Sequence, residues 1–170
     1  MEPWLAGRYA NLAPIPRLLC CSLEQSLGDV RKWTGPLNDE QIWAHSFDCG
    51  SVGFQLRHLA GSVDRLLTYA REETLSQEQL AFLAAEAEPG GSKELLIAEL
   101  AAVYAAARQF AETATLLDAP RYIGRQRLET PLGVLLGHIA EHTQRHTGQL
   151  IVLSKFACAR PRLPTLSPQV

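Results

Sequence analysis

In the stretch from Ser51 to about Glu73, Val52, Leu56, Leu59, Val63, Leu66 and Ala70 alternate spacings of four and three. That period belongs to a helix with one apolar stripe and cannot be laid on a strand, whose faces alternate every second residue. The same rhythm places Leu19, Leu23, Leu27 and Val30 on a helix from roughly Pro16 to Trp33, closed by Gly35-Pro36. An alanine- and leucine-rich helix is expected from a Ser92 cap to near Leu117. A last one is expected from Thr130-Pro131, read as N-cap and first helical residue, to about Phe156.

Shorter pieces fill the gaps. Leu37 to Gly50 reads as a connector with one turn after Asn38, Ser76 to Glu86 as a short amphipathic helix, and Asp118 to Glu129 as a loop. No alternation is strong enough to predict a sheet. The expected architecture is therefore all-α, a four-helix bundle forming one domain over 1–160, with a proline-rich tail over 161–170.

The net charge of −2 gives no basic footprint, so no nucleic-acid partner is expected. No apolar run is long enough to span a bilayer and no signal-peptide pattern opens the chain, so no membrane partner is expected and the cytoplasm is the expected compartment. The four cysteines do not form a disulfide framework: Cys20 and Cys21 are adjacent, Cys49 and Cys158 stand alone, and there is no CxxC. They read as small buried thiols, except that Cys49 lies just before a helix start, where the dipole favours a thiolate.

Four of the five histidines fall within two of these helices: His58 on one, and His138, His142 and His146 on the last. Against the apolar face of Leu132, Leu135, Leu136, Ile139, Leu150 and Leu153, His146 lies roughly 25° from the centre, His142 roughly 60° and His138 roughly 100°. Inward imidazoles need hydrogen-bond partners or a metal. His142 and His146 are one turn apart, and His58, flanking its own stripe beside Leu59, is the natural third ligand; Gly61 and Ser62 next to it permit close approach of a helix or ligand. Three neutral imidazoles suit zinc or nickel and leave coordination positions open for a water or thiol.

The segment His138-Ile-Ala-Glu-His142 also matches the inverted zincin pattern HxxEH. Glu141, however, points away from the apolar face and is spaced to pair with Arg145, so a solvated ion pair is the preferred reading. Arg57, Arg65 and Arg145 could bind an anion but read as surface residues, and Tyr69 reads as packing.

Ser51-Val-Gly-Phe-Gln-Leu-Arg-His58-Leu-Ala-Gly, with His138-Ile-Ala-Glu-His142-Thr-Gln-Arg-His146-Thr-Gly-Gln149, resembles the DinB/YfiT-like superfamily of small metalloproteins. The resemblance implies up-down-down-up connectivity, frequent homodimers, and a nickel or zinc ion held by His58, His142 and His146. His138 matches a generally non-ligating position that lines the pocket, and Gln149 a position able to bond a ligand or the backbone. Where relatives often carry arginine after the final histidine, this chain has Thr147. The activity implied is that of a metal-dependent hydrolase or a low-molecular-weight thiol S-transferase or isomerase acting on a small-molecule substrate. The alternative is a non-enzymatic metal- or ligand-binding bundle, a stress protein or sensor.

Overall fold

The structure, a computed structural model, describes residues 1–45 and 49–159. Long helices α1 (Pro14–Thr34), α3 (Val52–Ala70), α5 (Lys93–Thr113) and α6 (Leu132–Ala159) carry the fold. Short α2 (Asp39–Trp43) and α4 (Gln77–Ala84) lie between them, and strands β1 (Pro120–Ile123) and β2 (Leu128–Pro131) precede α6. The expected tail over 161–170 lies outside the described residues.

Local chemistry sets the helix starts. Proline occupies the first turn of α1, where its missing N–H is no loss. Asn38 and Ser76 form capping boxes with Gln41 and Gln79, and Ser51 and Ser92 each accept the N–H three residues on. At the end of α3, Glu72 takes a left-handed backbone (φ 65°), and Arg121 donates through Nε to the Ala70 carbonyl. The helix thus stops at Ala70, short of the Glu73 expected from its pattern.

Two expectations are corrected. The 118–129 loop contains an antiparallel hairpin, with Pro120 opposite Pro131 and Ile123 opposite Leu128. Four-residue strands are too short to display a period of two, so the sequence pattern does not reveal them. Thr130 and Pro131 belong to β2, and α6 begins at Leu132. Its first amides are satisfied by loop carbonyls rather than a side-chain cap: Leu132 donates to Ala119 and Gly133 to Leu117.

α1 and α3 each pack against both α5 and α6. The core between them takes Leu19, Leu23 and Val30 from α1, Leu56, Leu59 and Val63 from α3, Leu100 and Tyr104 from α5, and Leu136, Ile139 and Leu150 from α6. All six residues of the expected α6 face are buried. Thr147 lies in this core, hydrogen-bonded across to Ser26 (2.7 Å), which also meets the Tyr104 hydroxyl (3.1 Å). The position is 2% exposed, and a charged side chain there would lose its hydration.

Candidate metal centre

α3 and α6 pack against each other, and their facing turns bring His58, His142 and His146 together. The ring centroids lie 5.2 Å apart for His58 and His142, 4.3 Å for His58 and His146, and 4.4 Å for His142 and His146. One potential ligand atom from each lies within 4.8 Å of the other two. His138 is outside this group: it is 48% exposed, next to Glu141 at 3.5 Å. Glu141 is itself half exposed and bridges to Arg145, so the HxxEH segment forms a solvated ion pair.

Neighbouring polar groups orient the rings. His58 Nδ1 meets Glu86 Oε2 at 2.8 Å, and His146 Nδ1 meets Gln55 Oε1 at 2.9 Å. A carboxylate and an amide oxygen only accept, so Nδ1 carries the proton in both rings and the Nε2 lone pair is left for an electrophile. Phe54 stacks on His58, with ring centroids 5.4 Å apart. Gln149 lies beside His146 and favours its protonated form.

Glu86 is buried, and its other oxygen accepts from Arg65 Nη1 at 2.7 Å. Burial by itself raises the Glu86 carboxyl, but hydrogen bonds from His58 and Arg65 and their charges outweigh it, leaving a net value below the ordinary one. Gly61 makes room: a Cβ there would lie 2.6 Å from Glu86 Oε1. The close approach allowed by Gly61 is that of this carboxylate. Arg57 holds the segment from the other side by donating to the carbonyls of Ala85, Glu88 and Gly90. Arg57 and Arg65 thus have structural partners, and Tyr69 packs half-buried against the core.

Neither Glu86 nor Gln55 was found by sequence reasoning. Gln55 had a signal, an uncharged polar residue three positions after Val52 and four before Leu59 on the buried side of α3. Glu86 had none, since its partners lie 21 and 28 residues away.

These residues fit a divalent ion. Buried His142 Nδ1 has no hydrogen-bond partner among the described residues, a defect in an ordinary core. Burial, then the neighbouring His146, His58 and His138 and the Arg145 charge, push His142 down to about 4. His146 is lowered chiefly by burial, then by His58 and Arg145. Both rings are neutral near pH 7, the form a metal requires.

A stability prediction follows for the metal-free protein. The unfolded chain protonates His142 near the ordinary 6.5, the folded one only near 4. Between those values the unfolded state binds more protons, so stability falls as pH is lowered through the window. Melting curves from pH 7 to pH 4 should show this decline, and His142→Gln should flatten it. An equal slope in both proteins would remove His142 as its source.

Cys20 and Cys21 are buried free thiols, as expected, and burial pushes Cys20 up to about 11. Cys158, near the end of α6, is exposed, contrary to the buried reading, while Cys49, the exception to that reading, is exposed and lines a cavity. No disulfide joins the described residues.

Three imidazoles from two packed helices, two of them oriented by buried acceptors, define a helical protein with a candidate metal site. The family model of the DinB superfamily matches residues 22–150, and the chain belongs to that superfamily. No curated protein matches it significantly. No helix among the described residues is long and apolar enough to cross a membrane.

Proposed function

We propose that the chain is a divalent-metal-dependent enzyme in which His58, His142 and His146 hold nickel or zinc. Its reaction is hydrolysis or thiol S-transfer on a small-molecule substrate, with water or a low-molecular-weight thiol as the activated group. The observation that carries this reading is the convergence of three imidazoles within 4.8 Å, without a fourth protein ligand in the group among the described residues. Such a donor set leaves positions open, as catalytic rather than structural sites do.

When bound, the ion supplies Lewis acidity that makes a water or thiol proton easier to lose. The chain's own groups supply orientation. Glu86 and Gln55 fix His58 and His146 through Nδ1, while Phe54 stacks on one face of His58. The proposal includes a four-helix bundle of α1, α3, α5 and α6 in up-down-down-up order, a homodimer, and a cytoplasmic location.

Metal analysis of the purified protein, followed by a turnover screen of nickel- and zinc-loaded samples with several thiols and electrophiles, tests the proposal. About one ion per chain is expected, with turnover lost in His58→Ala, His142→Ala and His146→Ala. Turnover that survives in all three variants would exclude the histidines from the reaction.

A further inference from the structure

α6 carries apolar side chains on a side that does not face the core. Leu150, Leu153 and Ala157 already fill its inward face, yet Val152 and Phe156, one turn apart, are 51% and 47% exposed. They border a cavity of about 690 Å³ between the start of α3 and the second half of α6. That volume lies within the range of roughly 300–1,000 Å³ typical of small-molecule sites. Phe54 forms its third apolar wall.

The polar part of the lining is sparse and one-sided. Arg145 is the only charged residue among the described lining residues, with the amides of Gln55 and Gln149 nearby. Glu141 engages Arg145 through Nη2, fixing the guanidinium and leaving its other N–H groups for a second anion. The cavity also shares walls with the histidine centre: Phe54 stacks on His58, and Gln55 bonds His146.

We infer that this cavity binds an amphipathic small molecule with an apolar body and a single anionic head. The body lies against Phe54, Val152 and Phe156, and the head meets Arg145. Through Phe54 and Gln55 the occupied cavity adjoins the metal centre. A cationic head would find no carboxylate in the described lining, and a neutral one would leave Arg145 without its second partner. Treating the occupant as a substrate rests on the metal-dependent reading above, but its binding requires only the cavity.

Two exposed cysteines provide a reporter and a control. Cys49 lines the cavity, and Cys158 does not. The full-length protein is alkylated with iodoacetamide, alone or with decanoate, decan-1-ol or decyltrimethylammonium, and each cysteine is followed by peptide mass spectrometry. Decanoate at saturation is expected to slow Cys49 by about tenfold and to leave Cys158 unchanged. The neutral and cationic analogues should protect much less. Arg145→Gln should weaken decanoate protection by about tenfold and erase the preference for the anion.

Val152→Glu, at an exposed position, should abolish protection while circular dichroism and metal content stay unchanged. Equal protection by all three probes, or by none, overturns the inference. So does a Cys49 that resists alkylation without additive in a protein that sediments as a dimer, an outcome that would assign the face to a second copy. Metal content measured on the same samples separates the two readings: protection without metal affinity would sink the catalytic reading alone, and metal affinity without protection would sink this one.

Discussion

Replacing His142 with phenylalanine is expected to abolish specific metal binding and at the same time to stabilise the metal-free protein. The two effects have one origin. His142 Nδ1 is buried without a hydrogen-bond partner among the described residues, and burial already drives the ring to its neutral form. An unsatisfied buried nitrogen costs about 1–3 kcal/mol, and an apolar ring of similar shape removes that cost. The same change deletes one of three donors, so affinity should fall by more than the roughly 10–100-fold typical of losing an outer-shell partner.

Melting temperatures with and without nickel or zinc measure both effects. A ligand at 100 times its dissociation constant stabilises the native state by about 2.7 kcal/mol. The unmutated protein should show that metal-dependent rise, and His142→Phe should show a higher metal-free value with no rise. If metal stabilises the variant as much as its parent, His142 is not a ligand.

What could be seen from the sequence follows the range of the interactions involved. The stripe of α3 and the buried face of α6 depend on spacing along one helix, and the sequence displays them directly. The same local geometry separates His146 and His142 from His138, because each step of four residues advances about 40° around the helix. Exposed His138 and the outward Glu141–Arg145 pair lie where that arithmetic puts them. The partners that orient the rings depend on tertiary approach instead. Glu86 reaches His58 only because the segment after α4 folds back over Gly61, and nothing near Glu86 in sequence records that path. The hairpin before α6 was hidden for a related reason: its strands have too few residues to establish a period, and their pairing is set across the turn.

Glu86→Ala is the second substitution with a large expected effect, because the carboxylate has two tasks that can be separated. It neutralises Arg65, whose side chain is 12% exposed, and it holds His58 through Nδ1. Removing one partner of a buried ion pair costs about 3–5 kcal/mol, since the remaining charge is left without compensation. Urea denaturation of the metal-free protein should show a loss of that order. Loss of the His58 contact should also weaken metal binding about 10–100-fold. Adding Arg65→Met removes the stranded guanidinium and should restore much of the stability but none of the metal affinity. Gly61→Ala disturbs both tasks without deleting a polar group: its Cβ would stand 2.6 Å from Oε1 and 2.7 Å from Arg65 Nη1, so the ion pair or the helix must shift. Metal affinity unchanged in both Glu86→Ala and Gly61→Ala would reduce Glu86 to a counter-ion for Arg65. A loss in both, with stability restored only by the double substitution, requires that the carboxylate set the orientation of His58 independently of its pairing with Arg65.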